Sequence, residues 1–599
     1  MLNKFCKYPL YEVSAHLSKV ALGLEKADTV IKNARLVNVC TAEIEEGTDV
    51  AISKGRIALV GDASHCIGEN TKVIDAAGQY IAPGFMDGHI HVESSMLSVG
   101  EYAKAVVPKG TTAIFMDPHE ICNVCGLEGV KFMVEDARRA PLKAISNAPS
   151  CVPAVPGFED TGSKITAADI KEMMSWDGIM GLGEMMNFPN VINGNESVHA
   201  ELAETLKSDN IITGHFSIPE TGAALNSYIA SGARCCHEST RPEDVLAKMR
   251  LGMYAMMRYG SAWCDLPVII KAVLENKVDD RFCCLISDDT HPHTLIENGH
   301  LDYIVRSAVK EGLSPIKAIQ YVTINTATCF CMDHEMGSIT PGKCADIVFF
   351  NDLNDIHITR TMINGDVVAE NGEMTVEIKP AKLPAAVLNT MHVGETITPE
   401  VFRIAPPDSK AKTVKTRVIE IIPERVGTYE RIIDLNITNG FVEADTEKDI
   451  IKMAVIERHH ETHTKGFGFI KGFGFKKGAL AQTVAHDAHN LLVAGTNDED
   501  MALAANTLIE CGGGMCAVAD GKVLAVVPLP IAGLMNDLPA KEMADLVAKL
   551  DKAWKEMGCV IGSPYMTMAL VPLACLPELR LTNRGLVDCR TFEFVDLFC

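Results

Sequence analysis

The sequence predicts an α/β protein built on a (β/α)8 TIM barrel, with a split small β-sandwich domain and an additional C-terminal α+β domain. Three observations predict it. Between residues 81 and 341, short apolar runs alternate with amphipathic helical patterns, and eight such runs can be counted. Histidines and carboxylates stand at the ends of these runs, where a parallel barrel gathers its loops. Short strands bounded by turn residues flank the region on both sides.

Residues 1–80 hold the N-terminal part of the small β domain, with strands at Thr29-Val30-Ile31, Arg35-Leu36-Val37, Val50-Ala51-Ile52 and Arg56-Ile57-Ala58-Leu59-Val60. The barrel spans 81–341, with strands expected at 85–90, 111–117, 142–148, 178–184, 210–216, 233–237, 253–258 and 282–288. Helical patterns fill the gaps, as at 197–208, 241–250 and 262–276. The seventh run, Met253-Tyr254-Ala255-Met256-Met257, also reads as a helix start. Return strands of the small domain occupy 342–378 and are expected to pair with 28–62. Residues 379–400, rich in Pro, Thr and Ala, read as a linker. The C-terminal domain, 401–599, shows strands near 432–436, 451–456, 490–494 and 523–527 and a helix at 498–511. Lys465-Gly466-Phe467-Gly468-Phe469 recurs as Lys471-Gly472-Phe473-Gly474-Phe475, a duplication too short for a repeat fold.

A chain of 599 residues implies several domains. A formal charge of −23 repels phosphate backbones, which argues against nucleic acid and anionic membranes as partners. No apolar run reaches the roughly 18 residues of a membrane span. The start, Met1 to Lys7, lacks a signal-peptide core. Twenty cysteines without regular spacing imply a reducing, cytoplasmic setting rather than a disulfide framework, and Cys122 and Cys125 read as structural. A homodimer is expected on general grounds alone.

The chemistry lies at the strand ends. His89 and His91 are separated by one residue, so in a strand both imidazoles point to one face. Strand 4 ends with Glu184, strand 5 with His215, strand 6 with His237 and strand 8 with Asp288. Four imidazoles and two carboxylates suit two divalent ions bridged by Glu184, one on His89, His91 and Asp288, the other on His215 and His237. Such donors favour Mn, Fe or Zn over Mg or Ca. We expect two divalent ions, Mn or Fe, with Zn as the alternative.

These residues resemble the amidohydrolase superfamily, in which many members carry a carboxylated lysine on strand 4 where this chain has Glu184. Within it, the chain is similar to the bacterial-type adenine deaminase family. The resemblance rests on 84–95 (GFMDGHIHVESS), Asp117-Pro118-His119-Glu120-Ile121, 183–189 (GEMMNFP), Ser287-Asp288-Asp289 and 484–490 (VAHDAHN), and covers nearly the whole chain. It implies hydrolytic deamination of adenine to hypoxanthine and ammonia, with adenine and water as partners and Asp288 as the proton carrier beside a metal-bridged hydroxide. Another amidohydrolase reaction, such as cyclic amide hydrolysis or deacetylation, is the alternative. A non-catalytic scaffold is disfavoured because all six donors are present.

His119 and Glu120 are candidates for proton transfer or purine recognition, and Glu238 for orienting His237. Ser94 and Ser95 read as caps of the next helix rather than substrate contacts. His486 and His489, if in a strand, would face opposite ways, although their segment could close over the site. Arg458-His459-His460 and His463 read as a solvated polar run.

Overall fold

Eight parallel strands close into a barrel in the computed structural model, which describes residues 5–261, 263–422, 427–562 and 564–599. In chain order they are Phe85–His91, Thr111–Met116, Lys143–Ala148, Ile179–Met185, Ile211–Gly214, Ala233–Cys236, Tyr254–Arg258 and Cys283–Ile286, hereafter strands 1 to 8. The seventh is thus a strand. Strand 8 is broken at Ser287. Its lower part pairs with strand 7, and its continuation, Asp288–Asp289, pairs with strand 1 and completes the ring. Helices Glu196–Lys207 and Pro242–Arg250 lie where the periodicity places them. Ala262, the expected start of the third helix, lies outside the described residues. The rest of that span forms two short helices, Leu266–Ile269 and Lys271–Leu274.

The small domain is a nine-stranded sheet that draws on both sides of the barrel. Its longest N-terminal pair is Thr29–Asn38 against Glu43–Ser53. Lys72–Asp75 pairs with the first half of Thr29–Asn38 and Tyr80–Pro83 with the second, so the sheet divides and folds over a core that includes Ile31, Leu36, Ile52, Ile347 and Phe349. The return strand Ile347–Phe350 pairs with Tyr80–Pro83 rather than directly with a strand inside 28–62. Tyr80–Pro83 runs through Gly84 straight into strand 1, which puts it between the two halves.

The C-terminal domain is built on a second nine-stranded sheet. Its strand order is 441–442, 428–438, 413–421, 465–471, 450–456, 491–495, 479–482, 514–519, 522–528. Side chains alternate across it. One face, with Ala454, Ala481, Cys516 and Val518, is covered by helix Asp498–Cys511. The other, with Met453, Leu480, Met515 and Ala517, joins helix Ala540–Glu556 and the barrel residues Val92, Leu97, Tyr102 and Met133 in one shared core. The duplicated pentapeptide takes two conformations. Lys465–Lys471 is a strand, whereas in the second copy Gly472 and Gly474 adopt positive φ and the chain turns.

Polar contacts fix the C-terminal domain to the barrel mouth. Asn536 exchanges backbone bonds with the loop after strand 1, its N–H donating to the Met96 carbonyl (2.9 Å) and its carbonyl accepting from Ser98 N–H (2.9 Å). Arg139 donates to Ser98 Oγ (3.0 Å) and pairs with Asp537 (3.0 Å) and Asp136. A side chain at Gly100 would place Cβ 2.4 Å from the Arg139 guanidinium carbon, so glycine lets the guanidinium lie against that helix. Residues 379–400 run along this junction. Val387 is buried, its carbonyl accepts from Ala532 N–H (2.6 Å), and His392 N–H donates to the Arg458 carbonyl (2.7 Å). Among the described residues, no helix is long and apolar enough to cross a membrane.

Arg139→Ala leaves Asp136 and Asp537 without their shared cation. Removing one partner of such a largely buried pair is expected to cost about 3 kcal/mol. A lower thermal unfolding midpoint and faster proteolysis near residue 380 check this, and an unchanged midpoint would show that the junction does not depend on the pair.

Candidate metal centre

Six donors meet at the carboxyl ends of the barrel strands. His89 and His91 lie in the last turn of strand 1, Glu184 is penultimate in strand 4, and His215 and His237 directly follow strands 5 and 6. Asp288 opens the upper segment of strand 8 with φ +61°, a left-handed conformation that turns it toward strand 1. Five of the six are buried, and His215 is half-buried.

Glu184 sits at the centre. Its Oε1 lies 3.4 Å from His91 Nε2 and 3.3 Å from His119 Nδ1. Its Oε2 lies 2.6 Å from His215 Nδ1 and 3.0 Å from His237 Nε2. Each oxygen therefore faces its own pair of imidazoles. Asp288 Oδ1 is 3.5 Å from both His89 Nε2 and His91 Nε2. The His89 and His237 rings stack with centroids 3.9 Å apart, which draws the two donor groups together.

Neighbouring groups fix these side chains. His91 Nδ1–H donates to the Asp117 carbonyl (3.0 Å), which leaves Nε2 with its lone pair toward the carboxylates. The Asp117 carboxylate accepts from Glu184 N–H (2.5 Å). A Cβ at Gly183 would lie 2.6 Å from both Asp117 carboxylate oxygens, so only glycine lets Asp117 reach that amide. Ser287 donates through N–H (3.2 Å) and Oγ (2.5 Å) to Asp87, which also faces His300 Nε2 (3.1 Å). That network anchors the break in strand 8. Arg258, at the end of strand 7, donates to Asp288 Oδ2 (3.2 Å), to Asp265 (2.7 Å) and to Glu238. Glu238 thus pairs chiefly with Arg258 and stands 3.7 Å from His237 Nε2.

The electrostatics follow from this crowding. Burial would raise Glu184, yet the His215 and His237 imidazoles hold it well below the usual carboxylate range. Asp288 is likewise held down, against burial, by His89 and His91. His91 is driven up against burial by Asp288 and Glu184, while burial and the adjacent His89 lower His237 to about 4. The donor set fits divalent cations. His89, His91 and Asp288 bring ligand atoms within 4.8 Å of one another, as do His89, Glu184 and His237. His89 Nε2 and His119 Nδ1 are buried without a hydrogen-bond partner, a costly state for a polar atom that a cation relieves.

Around this centre the structure revises several expectations. Ser94 does not cap a helix. A 3-10 turn, Val92–Ser95, delays the next helix, whose cap is Ser98, and Ser94 Oγ instead contacts Asp289 and Glu120 Oε1 (3.2 Å). Ser95 Oγ closes that turn on the Val92 carbonyl. His486 and His489 lie in a turn, not a strand, so their rings sit side by side, 5.3 Å apart. Both face Glu120, His486 Nδ1 at 3.8 Å and His489 Nε2 at 4.0 Å, and Asp487 stands 3.9 Å from His119 Nε2. Ala485 N–H donates to His489 Nδ1 (3.2 Å), which puts that ring's hydrogen on Nε2. Arg458 and His459 are buried, although His460 and His463 are exposed. The Arg458 guanidinium binds the carbonyls of Thr390 (2.9 Å), Ala532 (2.9 Å) and His489, and so fixes the turn. Sequence reading did not single out Arg258, Asp487 or the Asp87–His300 pair. The strand-end criterion reaches Arg258 once 253–258 is known to be a strand.

Residues 80–368 match the model of the amidohydrolase family, and residues 425–593 match that of the adenine deaminase C-terminal domain. An adenine deaminase of Clostridium botulinum (strain ATCC 19397 / Type A) is 66% identical over 598 residues, covering 100% of both chains. One of Moorella thermoacetica is 54% identical over 589 residues, covering 98% of each. One of Ruegeria sp. (strain TM1040) is 45% identical over 589 residues, covering 97% of each. The barrel region and the C-terminal domain thus match together and in order, and the chain belongs to the adenine deaminase family of amidohydrolases.

Proposed function

We propose that this protein hydrolyses adenine to hypoxanthine and ammonia at a centre that holds two divalent ions. The observation that carries the reading is Glu184, whose two oxygens face separate imidazole pairs as a bridging carboxylate requires. His89, His91 and Asp288 would hold one ion, His215 and His237 the other, and Glu184 both. When bound, such a pair supplies Lewis acidity that lets water lose a proton near neutral pH. Imidazole and carboxylate donors suit Mn or Fe, with Zn as the alternative.

The remaining steps fall to the chain's own groups. Asp288, oriented by Arg258, accepts the proton of the attacking water and returns it to the exocyclic amine, which leaves as ammonia. Carbon 6 of the purine passes through a tetrahedral adduct, and N1 takes up a proton as the ring loses aromaticity. His119, between Glu184 and Asp487, donates that proton and recovers one from the adduct's hydroxyl as it becomes the carbonyl. Glu120 and His489 read the far edge of the base. Glu120 Oε2 is an acceptor and His489 Nε2–H a donor, 4.0 Å apart, and both are buried without a hydrogen-bond partner. Adenine offers the complement on one edge, with N9–H as donor and N3 as acceptor. A ribose on N9 removes the donor, so the arrangement selects the free base. Twenty cysteines without regular spacing suit a reducing, cytoplasmic setting.

Ammonia release by metal-free protein reloaded with Mn(II) tests the reading, with adenosine and a cyclic amide as parallel substrates. Release from adenine alone is expected, and turnover of the amide without adenine would discard the assignment. Glu184→Gln is expected to lose bound metal and to lower turnover at least about a hundredfold, because a neutral amide bridges two cations poorly. Normal metal content and rate in that variant would remove the binuclear model. Asp288→Asn is expected to keep most of its metal and to lose roughly a hundredfold to ten-thousandfold in kcat. A wild-type rate would take Asp288 out of proton transfer.

A further inference from the structure

At the amino end of the barrel, away from the donors, two buried thiols meet. Cys6 Sγ lies 2.9 Å from Cys344 Sγ. Disulfide sulfurs are bonded at about 2.05 Å, so these atoms stand within about 1 Å of that length. The two residues come from opposite ends of the fold. Cys6 belongs to the segment before the first helix, and Cys344 precedes the return strand Ile347–Phe350. The segment is already bound to both halves of the small domain. Asn364 Nδ2 donates to the Phe5 carbonyl (3.1 Å), Lys7 pairs with Asp366 (2.9 Å), and Arg56 Nε donates to the Tyr8 carbonyl (2.9 Å).

The surroundings suit thiol chemistry. Cys6 S–H faces Glu335 Oε2 at 3.1 Å, and that carboxylate is paired with the buried Arg56 at 2.7 Å. Lys143, the first residue of strand 3, adds a second buried cation, paired with Asp346. The Cys344 thiol is lowered, first by the hydrogen bond from Cys6 and, against burial, by Lys143 and Arg56. A cavity of about 260 Å3 lined by Phe5, Leu142, Lys143 and Asn364 adjoins the pair through Phe5 and Lys143, although neither thiol lines it. Cys6, Glu335 and Cys344 also have metal-ligand spacing, but Glu335 is committed to Arg56 and two cations stand beside the thiols, which disfavours a third.

We propose that Cys6 and Cys344 are a redox pair that closes to a disulfide on reaction with a low-molecular-weight disulfide and so staples the N-terminal segment to the small β domain. The Cys344 thiolate attacks one sulfur of the oxidant, forms a mixed disulfide and releases one thiolate. Cys6 passes its proton to Glu335, and its sulfur attacks Cys344, displacing the second thiolate. Glu335 passes that proton to the second thiolate, and the first takes up from solvent the proton that Cys344 gave up on ionising, so the oxidant leaves as two reduced thiols. The two electrons lost by the protein sulfurs are those gained by the oxidant.

The test treats the full-length, metal-loaded protein with 2-hydroxyethyl disulfide, alkylates the remaining thiols under denaturing conditions and analyses peptides without reduction. The expected result is a cross-linked peptide that joins Cys6 to Cys344, a raised thermal midpoint reversed by dithiothreitol, and unchanged ammonia release from adenine, since the pair lies at the opposite end of the barrel. Cys6→Ser should abolish the cross-link and the shift while keeping basal activity. If that variant does not fold, the wild-type peptide result decides alone. Both thiols alkylated after oxidant, a mixed disulfide that goes no further, or both thiols masked by an additional equivalent of metal would each overturn the proposal.

Discussion

A buried carboxylate surrounded by imidazoles is tolerated only if its charge is answered on every side. Glu184 is in that position, and much of the barrel mouth can be derived from its needs. Its backbone amide is held by Asp117, which reaches it because residue 183 has no side chain. Asp117 in turn takes the outer hydrogen of His91 and so presents the other nitrogen to Glu184. The second carboxylate, Asp288, enters the same space through a left-handed residue at a break in strand 8 that Asp87 holds open. The site is therefore a rigid arrangement of lone pairs, which metal chemistry requires and a flexible loop could not provide.

The C-terminal domain completes that arrangement rather than sitting beside it. Its sheet shares a core with the barrel, and the turn that carries His486, Asp487 and His489 faces Glu120 and His119. Arg458, itself buried, ties the turn to two other segments through carbonyl groups and not through a counter-ion. Burial lowers its guanidinium to about 10, against the opposing pull of Cys125 and Glu457, a cost offset by the carbonyls it gathers. The cover also supplies the low-dielectric surroundings in which charge placement counts most.

How much of this could be read in advance depended on the kind of local order each residue belongs to. His89 and His91 were legible because a strand repeats every two residues. His215, His237 and Asp288 were legible because barrel chemistry collects at strand ends. Glu184 stood out as the carboxylate on strand 4. Ser94 was hidden by a 3-10 turn that displaced the helix start, and Arg258 by a strand whose methionines also suit a helix. His486 and His489 were misread because the face a side chain takes in a turn has no period. The strand Ala479–Gln482, half of it alanine, is buried on both faces, so no alternation marks it.

The order of the chain sets the order in which the site is built. The last of the six donors, Asp288, is synthesised well before His486, the first residue of the turn that covers them. Domains fold largely as they emerge from the ribosome. The barrel can thus present a finished set of ligands in an open cleft before its lid exists, and ions drawn from the surrounding pool reach the donors by diffusion. Once the C-terminal sheet docks, the same donors lie beneath a core that the barrel and the C-terminal domain share. The order of synthesis therefore leaves the donors most open before their cover exists, and the finished protein presents them from under it.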